Sequence, residues 1–346
     1  MIRVLVTGAG GGVGQGIIKS LRLITDLDIY IVTADMSELA SGLYGGDYSY
    51  LVPAASHKLY FAKIRQICIV HAIDFYFPGT DVELINCANH ANEFKTELGV
   101  NIIISPLSVI TIADDKLKTV EFLQEHHLSY PITLLPHEVE WSQVKFPLII
   151  KPRVGCRSIG VHLVYNLNQA KMAIDSLQSP IVQEHIEGCE YTCTIAICQG
   201  VVSDVLCLRR ELRSGDTFRA FPEHSLVIED YVREIAIRLG ISGSCNFQLR
   251  VSEAGVPKLF EINSRFSGTT PFCAHLGFNP VEFCLKAQLG LPYQSHIDYN
   301  KVVLRHWTEI VLNKQTLENI KQNLHGKVSA LKVSNMQYKL KRHSWN

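Results

Sequence analysis

Three side chains with oxygen ligands give the clearest chemical signal, and they lie in a predicted hairpin, CNFQLRV-SEAG-VPKLFEIN. If residues 254–255 form a two-residue turn, Gln248 pairs directly with Glu261 across the strands. The same register pairs Asn246 with Asn263. Gln248, Glu261 and Asn263 then share one face, and their oxygens suit a hard cation such as Mg²⁺ held through nucleotide phosphates. The apolar face of the hairpin is predicted to carry Phe247, Leu249, Phe260 and Ile262.

The alternative for this hairpin is a polar sheet surface that faces solvent. That reading is ordinary for one polar residue, but it fits less well a Gln, a Glu and an Asn that end at a glycine loop at 267–268. Arg265 follows Asn263 by two residues, so its guanidinium can reach an anion beside the metal. We therefore favour a metal site.

A lysine and a glycine loop lie upstream in IIKPRVGCRSIGV, where Lys151 ends an apolar strand. The loop that follows contains Gly155, Ser158 and Gly160, and its free backbone N–H groups can surround an anion. A point charge beside such a loop suits a triphosphate. Any glycine hairpin can carry a lysine, so the specificity of this signal depends on the downstream hairpin.

Another glycine loop, TGAGGGVG, follows the first predicted strand and opens a helix, as in folds that bind dinucleotides. Asp35 ends the second strand, where a ribose-binding acid could lie. The strict GxGxxG pattern fails because Val13 occupies the third glycine position. No Tyr has a Lys four residues later, a pair that short-chain dehydrogenases need. We favour a tight turn in a Rossmann-like scaffold and keep an NAD(P)-dependent oxidoreductase as the alternative.

The elements that must position these residues divide the chain into three parts and a tail. Residues 1–112 alternate short apolar strands with helical stretches, which predicts a parallel, Rossmann-like α/β domain. Residues 113–187 form a smaller α+β unit with the second glycine loop, and residues 188–312 read as antiparallel hairpins. Residues 313–346 form a basic tail, for which we prefer a solvated surface to a partner contact.

Composition excludes several classes of protein. The 346 residues contain 33 Lys+Arg and 33 Asp+Glu, and this balance disfavours a general nucleic-acid binder. No apolar run is long enough for a membrane helix, and the N-terminus is unlike a secretion signal. Ten cysteines without a CxxC pair read as structural thiols. We expect a cytoplasmic protein that acts on small molecules without a membrane, and we leave a homodimer open.

The order and spacing of these elements resemble the ATP-grasp superfamily over roughly residues 1 to 310. The likeness is strongest to the ATP-grasp units of the carbamoyl-phosphate synthase large subunit and to stand-alone carboxylate–amine (amino-acid) ligases. It implies that residues 1–112 form a pre-ATP-grasp domain. It further implies a two-lobed ATP-grasp fold, with a lid at 113–187 and a body at 188–312 that holds the metal site.

The resemblance implies ATP and Mg²⁺ (or Mn²⁺) as cofactors, with Gln248, Glu261 and Asn263 as metal ligands. Lys116, in ADDK, and Lys151 would contact the phosphates. In VQEHIEGCE, Glu184 and the backbone of the next two residues would contact adenine, whereas Glu190 would hold the ribose. The residues implied to bind ATP are Lys116, Lys151, Gly155, Ser158, Ile159, Gly160, Glu184, His185, Ile186 and Glu190.

The implied reaction joins a small carboxylate to an amine. ATP would phosphorylate the carboxylate to an acyl phosphate, Lys151 and Arg265 would act in catalysis, and ADP and phosphate would be released. A non-catalytic nucleotide-binding module is a further alternative.

Four residues are candidates for substrate binding. Arg210 and Arg219 flank the polar loop RRELRSGDTFRA, where arginine forks suit a carboxylate, although a solvated charged loop is an equal alternative. Asp81 and Glu83 follow a parallel strand, where ligands of open α/β sheets gather, and either could contact an amine.

Overall fold

A computed structural model describes most of the chain. The described residues are 1–155, 159–213, 215–322 and 331–332. The predicted lid residue Ser158 therefore lies outside the described part.

The chain folds into two compact units. The first unit consists of Met1–Glu83, Ala91–Ile102 and Thr308–Asn346, and the second consists of Leu84–His90 and Ile103–Trp307. The predicted boundaries at 112, 187 and 312 divide the chain more finely than these units do, and they stay predictions.

The first unit contains a parallel sheet with helices between its strands, which confirms the predicted Rossmann-like α/β class. Its parallel strands are β1 (Ile2–Val6), β2 (Ile29–Asp35), β3 (Tyr48–Leu51), β4 (Phe75–Phe77) and β5 (Asn101–Ile102), in the spatial order β3-β2-β1-β4-β5. The connecting helices are α1 (Gly12–Arg22), α2 (Tyr60–His71) and α3 (Leu84–Leu98). Val4, Leu5 and Val6 are fully buried, which explains why this strand reads as a continuous apolar run.

The second unit begins with a small lobe whose sheet is antiparallel. Its elements are α4 (Leu107–Asp114), α5 (Lys116–Glu125), β6 (Thr133–Leu134), β7 (Leu148–Pro152), β8 (His162–Val164), α6 (Leu167–Asp175) and β9 (Pro180–Glu184), with strand order β6-β9-β7-β8. Asn166 caps α6 through a hydrogen bond from the Gln169 backbone N–H. Leu148, Ile150 and Val182 form a core under this helix, so Lys151, the next residue after Ile150, lies on the opposite face of the sheet.

A larger antiparallel sheet, with strand order β15-β14-β10-β12-β13-β16, forms the body of the second unit. Its elements are β10 (Cys189–Cys198), β11 (Val201–Val202), β12 (Leu206–Arg213), β13 (Asp216–Glu223), α7 (Leu226–Leu239), β14 (Gly243–Val251), β15 (Pro257–Asn263), α8 (Thr270–His275), α9 (Pro280–Gln288) and β16 (Val303–Leu304). One face packs on α7 through residues such as Val232, Ile235 and Phe247. The other face carries the candidate metal ligands.

The hairpin of β14 and β15 has the predicted pairs Gln248–Glu261 and Asn246–Asn263. The predicted two-residue turn is wrong, because the strands are joined by residues 252–256. A β-bulge restores the register, since Leu249 pairs with Leu259 and leaves Phe260 as the extra residue. Leu259 is fully buried in the core in place of Phe260, which corrects the predicted apolar face.

The described part of the basic tail folds with the first unit. Helix α10 (Lys314–Gln322) buries Ile320, and strand β17 (Leu331–Lys332) pairs antiparallel with the edge strand β3. Strand β17 therefore extends the first sheet, whereas the sequence favoured a solvated tail.

Two compositional expectations can be compared with the described residues. Within them, no helix is long and apolar enough to cross a bilayer. The described cysteines are free thiols, and all of them except Cys189 are buried, as expected for structural thiols.

Candidate nucleotide and metal site

Lys151 is a buried cation at the end of β7, with 4% of its surface exposed. Its Nζ donates to Gln183 Oε1 at 2.9 Å and to the Phe260 carbonyl at 3.4 Å. Burial, together with the charge of Lys116, lowers the pKa of Lys151 from 10.5 to about 7, although Glu261 opposes the shift. Both acceptors are neutral, so they do not cancel the charge of protonated Lys151, which can still bind an anion.

The β-bulge explains how the hairpin reaches this lysine. Phe260 leaves the apolar face, and its ring centroid lies 5.4 Å from Lys151 Nζ. A bulge re-aims one side chain without disturbing the flanking pairs, so Gln248 and Glu261 stay opposite each other. The bulge therefore brings the lysine and the candidate metal ligands together within the second unit.

The base of the second glycine loop is fastened to helix α5. Asp115 caps this helix, and its carboxylate accepts from Arg153 Nε at 2.7 Å. The Lys116 backbone N–H donates to the Arg153 carbonyl, and Lys116 Nζ donates to the Gly155 carbonyl at 2.8 Å. Although burial would raise it, the pKa of Asp115 is lowered because Arg153 binds the carboxylate. We name these contacts between Asp115, Lys116, Arg153 and Gly155 the loop clasp.

The glycine loop is open at its described start and packed at Gly160, where a Cβ would lie 2.8 Å from Leu177 Cδ2. A Cβ built on Gly155 would meet nothing nearer than 3.8 Å, and Ile159 is 72% exposed. Gly160 adopts φ of +73°, a left-handed conformation that glycine tolerates best. A ligand can therefore approach the backbone at Gly155.

The predicted adenine segment connects the two lobes. Glu184 accepts from Lys258 Nζ at 2.9 Å and from the Ile132 backbone N–H at 3.0 Å. Burial and nearby Arg250 lower the pKa of His185, which favours its neutral form. Ile186 is buried, so the segment offers mainly backbone groups and the fixed carboxylate of Glu184.

Glu190 is held by two arginines on the polar face of the body. Arg210 Nη2 donates to Glu190 Oε1 at 2.6 Å, and Arg250 Nη2 donates to Glu190 Oε2 at 3.0 Å. Arg210 also donates to Gln248 Oε1 at 2.9 Å. The predicted substrate residue Arg210 therefore joins the predicted ribose ligand to a predicted metal ligand.

The candidate metal ligands fit a magnesium ion by their chemistry. One carboxylate and two amides face the same side of the hairpin, and Asn263 Nδ2 donates to Glu261 Oε1 at 3.3 Å. Arg265 Nη2 donates to Asn263 Oδ1 at 3.1 Å. Mg²⁺ commonly takes one or two protein carboxylates and completes its shell with phosphates and water. Among the described residues, no group of three or more His, Cys, Asp or Glu could hold a metal, so this mixed set is the candidate.

Two predicted substrate residues do not join this cluster. One forms an exposed ion pair, and the other has no accessible surface. Arg219 pairs at 2.9 Å with Glu211, and both side chains are about half exposed. Glu83, in the first unit, is fully buried, and it accepts hydrogen bonds from the hydroxyls of Thr7, Tyr60 and Tyr76. Burial raises the pKa of Glu83 despite these donors. This corrects the expectation that Glu83 contacts an amine. Its neighbour Asp81 stays a candidate.

The first glycine loop is closed by its own backbone packing. A Cβ on Gly14 would lie 2.3 Å from the Gly8 carbonyl oxygen, and one on Gly79 would lie 2.0 Å from the Thr7 carbonyl oxygen. Asp35 Oδ2 accepts from the Gly10 backbone N–H at 2.8 Å. These contacts favour the tight-turn interpretation, since Asp35, the predicted ribose-binding acid, already binds the backbone of the glycine loop.

Sequence reasoning missed several charged residues of the second unit. Arg153 follows Lys151 by two residues, and Arg250 follows Gln248 by two on the same strand face. Strand alternation could therefore have identified Arg153 and Arg250 from the sequence. Lys258 contacts Glu184 of the small lobe and Arg305 contacts the Gly268 carbonyl, and no local sequence pattern predicts either contact.

Two family models match the parts of the chain that carry this fold and this site. The family model of the ATP-grasp domain matches residues 113–269, and that of the PylC-like N-terminal domain matches residues 4–103. Residues 113–269 therefore form an ATP-grasp domain, and a PylC-like N-terminal domain at residues 4–103 precedes it.

Similar proteins are consistent with this assignment. The carbamoyl phosphate synthase large chain of Pasteurella multocida is 27% identical over 234 residues, which cover 61% of this chain and 21% of that protein. The chain thus spans about a fifth of that relative.

Two solved structures share the fold. L-amino acid ligase from Bacillus licheniformis gives a TM-score of 0.65 at 16% identity, with 83% of this chain and 74% of that chain covered. N5-carboxyaminoimidazole synthetase from Staphylococcus aureus, complexed with ADP, gives 0.69 at 15% identity, with 93% and 85% covered.

Proposed function

We propose that the protein is an ATP-dependent carboxylate–amine ligase that works through an acyl phosphate and releases ADP and phosphate. The observation that carries this proposal is the contact of buried Lys151 with the Phe260 bulge, one residue before Glu261. A cation and a set of hard-oxygen ligands are the two requirements for holding a nucleotide triphosphate with its metal.

The side chains of the second unit divide the work. Lys116 and Lys151 offset charge on the terminal phosphates, and Arg265 stabilises the acyl phosphate. Glu190 holds the ribose, and Glu184 fixes the adenine end. The second glycine loop closes over the phosphates and excludes water, because an acyl phosphate would otherwise hydrolyse.

Gln248, Glu261 and Asn263 would hold Mg²⁺, which supplies electrostatic stabilisation of the transferring phosphoryl group. Glu261 is the one carboxylate of this set, so it contributes most of the electrostatic attraction.

An amino acid or another small carboxylate is the proposed substrate. The structural neighbour named L-amino acid ligase supports this choice, as does the number of arginines on the body sheet. On this proposal the protein acts in the cytoplasm on small molecules, and a homodimer stays open.

The test is phosphate release from ATP·Mg with each of the common amino acids, followed by mass-spectrometric identification of the products. We expect ADP, phosphate and an amide product. AMP and pyrophosphate would contradict the acyl-phosphate route and leave the fold assignment intact. ATP binding without turnover would favour a non-catalytic module, and NAD(P) turnover without ATP would favour an oxidoreductase. In the same assay, Lys151→Met tests the phosphate-binding lysine. Lys171→Met, on the exposed side of α6, is its matched control.

A further inference from the structure

Arg305 follows the edge strand β16 and lies on the polar face of the body sheet. The pairs Arg210–Ala220 and Ala220–Val303 place these residues on one face, and side-chain alternation adds Arg305 to it. The guanidinium carbon lies 4.9 Å from the centroid of the Phe272 ring, which packs against that face. Arg305 therefore shares its side of the sheet with the candidate metal ligands.

The loop after the metal ligands reaches Arg305. Arg305 Nη2 donates to the Gly268 carbonyl at 2.5 Å. Gly268 is three residues from Arg265, and three residues span at most about 10 Å. Two guanidinium groups therefore flank the short segment 265–268, one at its start and one beside its end.

No acid among the described residues forms an ion pair with Arg305, although the charge of Asp216 acts on its guanidinium. Three other arginines of this sheet form ion pairs, Arg210 and Arg250 with Glu190 and Arg209 with Glu223. In the part of the chain that the structure describes, Arg305 forms no ion pair, and its side chain donates only to Gly268. A guanidinium has five N–H donors, so most of them stay available to an anion.

Gly268 leaves room for such an anion. A Cβ built on Gly268 would meet nothing nearer than Arg305 Nη2, at 3.7 Å. A side chain there would fill the space in front of the guanidinium, whereas glycine keeps it open. The half-buried guanidinium, stacked on Phe272, has its planar fork fixed for a carboxylate.

We infer that Arg305 binds a carboxylate of the substrate, with its Nη2 hydrogen bond to Gly268 fixing the fork beside Arg265. This inference rests on the proposed ligase function and narrows its substrate class to molecules that present a carboxylate at Arg305. That group is either the carboxylate to be activated or a second, unreacting carboxylate of an amino acid.

The experiment compares Arg305→Met and Arg305→Lys with the native chain and with the control Arg209→Met, which lies on the opposite face. The probe is the amino acid that most stimulates phosphate release, supplied as the free acid and as its carboxamide. For Arg305→Met we expect the KM for the free acid to rise roughly 10- to 100-fold, because a charged hydrogen-bonded pair is lost. The KM for ATP should stay within about twofold, and Arg305→Lys should be intermediate.

The carboxamide separates the two sources of the carboxylate. Because a carboxamide cannot be phosphorylated, it is assayed as the amine together with a second amino acid that supplies the carboxylate to be activated. A carboxamide that reacts slowly, and equally with native and Arg305→Met protein, identifies an unreacting carboxylate at Arg305. One that reacts well with the native protein and poorly with Arg305→Met identifies the activated group. Either result supports the inference if the free-acid KM rises. An unchanged free-acid KM in a normally melting Arg305→Met variant would overturn it.

A failed ligase assay would be distinguishable from a failed inference. If no amino acid stimulates the native protein, the proposed function is wrong, and the same acids are then tested by their shift of the melting temperature. A shift that disappears in Arg305→Met supports the carboxylate site. A shift that persists in Arg305→Met, or no shift in the native protein, contradicts it.

Discussion

The molecule contains two glycine loops that look alike in sequence and differ in physical construction. In the first unit, a Cβ on Gly14 would lie 2.3 Å from a backbone oxygen. In the second unit, a Cβ on Gly155 would lie 3.8 Å from its nearest neighbour. Gly14 in the first loop therefore permits close backbone packing, and Gly155 in the second leaves the backbone accessible.

The side chains near the two loops differ in charge. Asp35 binds the backbone of the first loop, whereas Lys116 binds the backbone of the second. Lys151 adds a buried cation close to Lys116. A glycine loop is therefore informative about phosphate binding when cations converge on it, and the glycine pattern alone is not.

The largest expected effect is on the hairpin that completes the second site. Glu261→Gln keeps the shape of the side chain and removes its charge, so ATP turnover at saturating Mg²⁺ should fall at least about 100-fold. The melting temperature should change little, because Glu261 faces the polar side of the sheet. Near-normal turnover in a folded variant would show that this hairpin does not hold the metal.

Two substitutions two residues apart test the construction of the first loop. Gly14→Ala should lower the free energy of unfolding by about 3 kcal/mol, because its Cβ overlaps backbone atoms. Gly12→Ala is the matched control, since a Cβ there meets nothing within 4 Å. Chemical denaturation measures the free energy of unfolding of both variants. Equal stability of the two variants would contradict the tight-turn interpretation.

The loop clasp should contribute to ATP binding. Arg153→Gln removes the 2.7 Å pair with Asp115, and we expect the KM for ATP to rise about three- to fivefold, since the pair is partly exposed. Arg209→Gln breaks an equally short pair, with Glu223, elsewhere in the second unit, and it should change the KM by less than about twofold. Steady-state kinetics measure the KM for ATP of both variants. Equal effects of the two would contradict a special role of the loop clasp in ATP binding.

A further prediction concerns the pH dependence of nucleotide binding. With a pKa of about 7, Lys151 is mainly protonated below pH 7 and mainly neutral above it. Phosphate favours the protonated form, so nucleotide binding at pH 8 should take up a proton, and affinity should fall by up to about tenfold per pH unit above 7. Calorimetry in two buffers of different ionisation enthalpy measures the uptake. Lys151→Arg, which stays charged, should abolish it, and uptake that survives there would point to another group.

The sequence was informative where the relevant residues lie in one hairpin or one loop. The Gln248–Glu261 pairing follows from strand alternation, and the parallel first sheet follows from alternating strands and helices. The pairing was obtained although the turn is longer than predicted, because the bulge at Phe260 restores the register. Local patterns rarely announce such a bulge.

Long-range contacts account for the residues that sequence reasoning misplaced or missed. Glu83 accepts from the nearby Tyr76 and also from Thr7 and Tyr60, which are distant in sequence and hold it in the interior. Arg305 joins the polar face only through the order of strands in the body sheet. Neither position can be read from neighbouring residues.

Calorimetric titration of the native protein and of Lys151→Met with ATP·Mg and, separately, with NADH and NADPH tests the central contrast most directly. We predict one ATP site that is lost or weakened at least about 100-fold in Lys151→Met, and no heat of binding from either dinucleotide. Unchanged ATP affinity in that variant, or dinucleotide binding to the native chain, would contradict the assignment of the two loops.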